Sequence, residues 1–85
     1  MKKRMTTREY IEKSGLKVIR DNSQTGITTT WIVEKDGREF EIWLTNNFTN
    51  FEDYFGVAVK QEDGSWKTLG TRCLLATAIR KIKQF

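Results

Sequence analysis

The sequence predicts a two-layer α+β domain, in which an antiparallel meander sheet of four or five strands carries the N- and C-terminal helices on one face. The first observation behind this is Asp36-Gly37 between two alternating apolar stretches, the strongest two-residue hairpin signal in the chain. The second is the helical spacing of apolar residues near the C-terminus. The connections are short, which favours a meander. With 85 residues, the chain 1–85 is expected to form one domain.

The first helix is predicted between Thr6 and Gly15. Thr6 and Glu9 have the spacing of a capping box, in which each residue satisfies a backbone N–H of the other. Gly15 is placed to end the helix in the left-handed conformation. A short strand over 16–20 and a turn-forming cluster over 21–26 are predicted to follow.

A β-hairpin is predicted from Ile27 to Leu44. A two-residue loop pairs Lys35 with Arg38 and thereby fixes which residues share a face of the sheet. The face expected to meet the helices comprises Trp31, Val33, Phe40, Ile42 and Leu44. The opposite face, called the outer face below, comprises Thr28, Thr30, Ile32, Glu34, Glu39, Glu41 and Trp43. Ile32 and Trp43 therefore fall on a side that is otherwise polar.

The second half of the chain is predicted to complete the sheet and add the last helix. Residues 46–53 are turn-rich, residues 54–61 predict a strand, and Asp63-Gly64 repeats the hairpin signal before a short strand over 65–69. The last helix is expected to begin after Gly70 with Thr71 as its N-cap, which places Arg72 and Cys73 in its first turn. Its predicted apolar stripe comprises Leu75, Ala78, Ile79 and Ile82, flanked by Leu74 and Phe85.

Composition argues against catalysis, metal binding and export. The chain has no histidine and one cysteine, Cys73, so a zinc site and an internal disulfide are excluded and the usual general base is missing. No glycine-rich phosphate loop occurs. We therefore expect no enzyme activity, no catalytic residue and no cofactor. No secretory signal and no apolar run of about 20 residues is present, so a cytoplasmic protein without a membrane partner is expected.

Charge is distributed in three blocks. Residues 1–20 carry a net charge of +5, residues 21–63 carry −6, and residues 64–85 carry +5 with no acidic residue. If both helices lie on one face, the two basic blocks share that side, which favours contact with phosphates. The residues expected to bind nucleic acid are Lys2, Lys3, Arg4, Arg8, Arg72, Arg80 and Lys83. Arg72, with the free amides after Thr71, is additionally expected to hold an anion.

The outer face gives a second candidate surface. An aromatic anchor with an aliphatic neighbour and an acidic rim is typical of a protein contact, which here would comprise Ile32, Trp43, Glu34 and Glu41. A loop folded over Ile32 and Trp43 would instead make them a minor core. Glutamates around Trp43 argue against base stacking there, because they repel a phosphate backbone.

The sequence supports two function hypotheses, and a third, a domain with a small-molecule pocket, is open but has no support from the sequence. The first is a small non-enzymatic regulatory protein that contacts nucleic acid, or a nucleic-acid-handling complex, through a basic helix face. The alternative is a protein-interaction module or inhibitor, of the small phage-encoded kind, acting through the outer face or by self-association. A helix-turn-helix is excluded because the residues after Gly15 lack a capped recognition helix. The double-stranded-RNA-binding domain has a similar helix–strands–helix order, but its lysine-rich helix start is missing, so the similarity is one of architecture.

Overall fold

The computed structural model describes residues 6–22, 29–45 and 54–85, which form two helices and five strands. These elements are α1 (Thr7–Lys13), β1 (Lys17–Asp21), β2 (Thr30–Lys35), β3 (Arg38–Thr45), β4 (Tyr54–Lys60), β5 (Trp66–Cys73) and α2 (Leu75–Lys83). The strands form one antiparallel sheet in the order β1-β2-β3-β4-β5. The predicted α+β meander is thereby confirmed, with five strands. The predictions for Ile27, Thr28 and the connection over 46–53 lie outside the described residues.

The capping box at the start of α1 is confirmed. The Thr6 hydroxyl accepts a hydrogen bond from the Glu9 amide at 3.1 Å, and the Glu9 carboxylate accepts one from the Thr6 amide at 3.3 Å. Gly15 follows the helix with a φ of +100°, as expected of a residue that ends a helix. Ile11 is fully buried, so one face of this short helix is held by packing against the sheet.

The predicted hairpin register is also confirmed. Asp36 and Gly37 have φ values of +53° and +76°, the combination that a type I′ turn requires. The pairing then runs from Lys35 with Arg38 to Thr30 with Trp43. Because a shift of one residue would exchange the two faces, this turn decides which side chains meet the helices.

Both helices pack on the same face of the sheet. The core joins Ile11 of α1 and Ile79 of α2 to the apolar sheet residues predicted for this face. Helix α1 lies beside β1, and α2 lies over β4 and β5. The side chain of Lys35 reaches the C-terminal end of α2, where its ammonium group donates to the carbonyl oxygens of Ile82 at 3.2 Å and Lys83 at 3.0 Å. A cation is favourable at this end of a helix.

The predicted start of the last helix is wrong. Residues 70–73 continue β5, where Gly70 pairs with Val57 and Cys73 with Phe55, and α2 begins only at Leu75. Its N-cap is Leu74, whose side chain forms no capping bond and is 51% exposed. Pairing with β4 and burial of Cys73 in the core prevail over the local capping preference of Thr71. Tertiary contacts commonly override such propensities.

The turn between β4 and β5 occurs where Asp63-Gly64 predicts it, but in another form. Only Gly64 has a positive φ, +90°, and the Gly64 amide donates to Gln61 O at 3.0 Å. This is a three-residue loop closed by a left-handed glycine. The Asp63 carboxylate accepts from the amide and hydroxyl of Ser65 at 2.9 and 2.6 Å, and these bonds lower the pKa of Asp63.

Candidate interaction surfaces

The strand register arranges the outer face in rows that cross all five strands. One row runs from Lys17 through Glu34, Glu39 and Lys60 to Trp66. The Lys60 ammonium lies 3.9 Å from the Glu39 carboxylate. Along this row the charge changes from acidic on β2 and β3 to basic on β4. Trp66, at the β5 edge, is 40% exposed.

The central row of the outer face is sheltered. It runs from Arg20 through Ile32, Glu41 and Ala58 to Thr68. Ile32 and Ala58 are only 6% and 2% exposed. Glu41 lies between them and is half-buried, and this burial raises the pKa of its carboxyl group above the usual range. Ile32 therefore offers little accessible surface for an interaction of its own.

The indole ring of Trp43 packs closely against Gly56. A Cβ atom at Gly56 would stand 2.0 Å from two carbons of the indole ring, so only a glycine leaves room for it. Gly56 is the β4 partner of Trp43, so the ring leans toward β4 and away from Ile32 on β2. Trp43 and Glu41 are half-buried, whereas Glu34 is exposed. The four residues expected to form a protein contact thus share the outer face but differ in accessibility.

A second surface, called the basic surface below, is formed by the five cationic residues of β5 and α2. They are Lys67, Arg72, Arg80, Lys81 and Lys83. The aliphatic part of Lys81 lies 3.0–3.2 Å from the position of a Cβ at Gly70, which fixes the flank of α2 that faces β5. At 100° per residue, Arg80 then points away from the sheet and Lys83 lies on the opposite flank. The five cations therefore extend around α2 from the sheet edge.

The basic surface has no ion-pair partner among the described carboxylates, although Glu62 and Asp63 line a cleft together with Lys67. Residues 64–85 contain no acidic side chain, and none of the five cations forms an ion pair with a described carboxylate. Four of them are exposed and Lys81 is half-buried. Such an unbalanced cluster produces a positive potential to which polyanions are attracted.

The predicted nucleic-acid residues are only partly brought together. Arg80 and Lys83 are exposed on α2, as expected. The predicted placement of Arg72 in the first turn of the last helix is wrong, because Arg72 belongs to edge strand β5 and has a φ of +52°. Arg8 lies at the other edge of the sheet, 3.5 Å from Glu12 and 3.4 Å from Asp21. Lys2, Lys3 and Arg4 lie outside the described residues.

The candidate binding residues predicted from the sequence did not include Lys67, Lys81 or Trp66. Trp66 follows the Asp63-Gly64 turn and alternates with Lys67, a pattern that indicates opposite faces of a strand. Placing Trp66 on the outer face also requires its pairing with Lys60, which the sequence alone does not give. Gly56 in mid-strand was a signal for a close aromatic contact, and it too was missed.

The described residues contain no cluster suited to metal binding. No three of the described Cys, Asp and Glu residues come together at one point. Cys73 is 8% exposed in β5, and its thiol donates to Thr71 O at 3.5 Å. The sequence predicted Cys73 in the first turn of the last helix, whereas the structure places it at the end of β5, before the N-cap of α2. An open cleft of about 440 Å³ beside Phe85 has Arg38, Glu62 and Lys67 among its lining residues.

Neither described helix has the length and apolar content needed to cross a bilayer. Comparison with known proteins gives no further assignment. The chain matches no protein-family model, no curated protein and no solved structure.

Proposed function

We propose that this protein is a small non-enzymatic binding protein that contacts nucleic acid, or a complex that handles nucleic acid, through its basic surface. The observation that supports this most directly is the set of five cations on β5 and α2 without a described carboxylate partner. Phosphate neutralisation by lysine and arginine supplies essentially all of the affinity in binding that does not depend on base sequence.

Binding of this kind needs no preformed pocket. Each cation that neutralises a phosphate releases a condensed counterion, which contributes roughly a tenfold gain in affinity at about 50 mM salt. Five cations distributed over a helix and an adjacent edge strand can follow a phosphate backbone. The acidic residues of the outer face lie on the other side of the sheet, so they do not interrupt this path.

The test compares two variants that each remove two positive charges. Arg80→Gln/Lys83→Gln removes them from the basic surface, and Lys17→Gln/Arg20→Gln removes them from β1, at the opposite edge of the sheet. Fluorescence anisotropy with a labelled duplex and a labelled single strand at about 50 mM salt should show weakening of roughly 100-fold for the first variant. The β1 variant should lose much less. Absence of binding by the wild-type protein, or equal losses in both variants, contradicts the proposal.

A second candidate function, a protein contact or self-association through the outer face, is favoured by one observation. Trp43 is half-buried against Gly56 and stands beside the partly buried Glu41, so an aromatic and a carboxylate share this face. Light scattering on Trp43→Ala would test self-association. A wild-type monomer, or a variant with the same mass as a wild-type oligomer, argues against it.

A further inference from the structure

We infer that Trp66 is a base-stacking residue and that the preferred ligand of the basic surface is a single-stranded nucleic acid. This rests on the proposed function and specifies its ligand. Trp66 is the largest of the exposed apolar side chains among the described residues. It lies on β5, an edge of the sheet whose free side carries no neighbouring strand among the described elements.

The surroundings of Trp66 are suited to a polyanion. Lys60 is its direct cross-strand partner, and Lys67 follows it in the chain on the helix side of β5. Cross-strand partners in an antiparallel sheet have Cβ atoms about 4.5–5.5 Å apart, so the base of the Lys60 side chain lies near that of Trp66, while its ammonium group is 3.9 Å from the Glu39 carboxylate in an exposed ion pair. The acidic residues of the same row, Glu34 and Glu39, are separated from Trp66 by β4. Only Glu62 and Asp63 in the neighbouring turn lie close along the chain.

The edge strand offers a path along which both kinds of contact can be made. From Trp66 to Arg72 the strand extends about 20 Å at 3.3 Å per residue. A base on the outer face can stack on Trp66 while the adjoining phosphates meet Lys67 and Arg72 along the edge. The exposed Thr68 lies next to Trp66 on the outer face and adds a hydroxyl group there.

A duplex cannot use this arrangement, because its bases are already stacked and their faces are covered. Stacking on aromatic residues is how proteins that bind single strands without sequence preference gain affinity beyond phosphate contacts. Trp43 cannot serve in the same way, since its ring lies on Gly56 next to Glu41. Trp66 and Trp43 therefore give a matched pair of variants on one face.

The test measures the affinity of the full chain for four labelled probes of equal length: a thymidine homopolymer, a uridine homopolymer, a DNA duplex and an abasic deoxyribose-phosphate strand. We expect both homopolymers to bind more tightly than the abasic strand. Trp66→Ala should weaken homopolymer binding roughly 5- to 150-fold, the range for loss of one stacked base. Binding of the abasic strand should change less than about twofold. Trp43→Ala should leave all four affinities unchanged, and Trp66→Phe should retain most of the homopolymer affinity because a ring remains.

The outcomes separate this inference from the proposed function. Equal weakening of homopolymer and abasic strand by Trp66→Ala overturns the stacking role. The inference also fails if Trp66→Ala leaves the affinity for both homopolymers unchanged while Arg80→Gln/Lys83→Gln lowers the affinity for all probes. In that case the proposed function is supported without the stacking role. If no probe binds at about 50 mM salt, both are wrong. Thermal unfolding of Trp66→Ala and Trp66→Phe shows whether a loss reflects the ring or the fold.

Discussion

Replacement of Gly56 by alanine tests the packing of the outer face. The new Cβ would stand 2.0 Å from the Trp43 ring, whereas ordinary contact begins at 3.4 Å. The indole must therefore retreat by about 1.4 Å or rotate off β4. The φ of Gly56 is not positive, so the backbone itself accepts alanine and the cost comes from the ring alone.

The expected cost follows from two opposing effects. Overpacking destabilises by about 1–3 kcal/mol, and the smaller entropy of an unfolded chain with alanine offsets about 0.4–1 kcal/mol. We expect a net loss of about 1–2 kcal/mol in the free energy of unfolding and a fall in Tm of roughly 5–15 °C for a domain of this size. Urea denaturation and thermal unfolding measure both quantities.

A double-mutant cycle isolates the contact. In a Trp43→Ala background, Gly56→Ala should be neutral or slightly stabilising, because the ring that it displaces is gone. Gly70→Ala is the matched control, since its new methyl group would stand 3.0 Å from both Cys73 Sγ and the flexible end of Lys81, so its neighbours need to move much less than the Trp43 ring does, and it should cost less. The reasoning is refuted if Gly56→Ala is harmless in the wild-type background, or equally costly with and without Trp43.

Three further variants test other features of the fold. Lys35→Met removes two hydrogen bonds to the last carbonyls of α2 and should lower the free energy of unfolding by about 1–2 kcal/mol. Faster amide exchange in the last turn of α2 would show this loss. The control, Lys60→Met, should lower the free energy of unfolding by less than about 1 kcal/mol because the ion pair of Lys60 is exposed. Burial raises the folded-state pKa of Glu41, so its contribution to stability falls as pH rises from the ordinary glutamate value through the folded pKa. Glu41→Gln should thus be more stable than wild type near neutral pH and lose this advantage at acid pH in urea titrations; a constant difference contradicts it. The buried thiol of Cys73 should react with a disulfide reagent at a rate limited by unfolding, and rapid reaction of the native protein would contradict its placement in β5.

Local signals determined which parts of this fold could be predicted. Asp36-Gly37 and the Thr6–Glu9 capping box act over a few residues, and both formed as expected. Once the turn was set, the strict alternation of a strand carried the register to Thr30 and Trp43.

Features that depend on distant partners could not be predicted in this way. Thr71 has a good local capping preference, but the strand pairing of Gly70 and Cys73 with β4 decided the conformation there. The fit of Trp43 against Gly56 requires knowing that β3 and β4 pair, with these two residues opposite. Because the strand continues to Cys73, Arg72 lies at a sheet edge and not at a helix terminus. The basic surface therefore includes part of β5 as well as α2.

The salt dependence of binding tests the central proposal most directly. If all five cations of the basic surface neutralise phosphates, the logarithm of the duplex association constant should fall against the logarithm of salt concentration with a slope of about −4 to −5. Arg80→Gln/Lys83→Gln should make that slope shallower by about 2, and Lys17→Gln/Arg20→Gln should leave it unchanged. A wild-type slope near zero, or the same change in both variants, would contradict binding through β5 and α2.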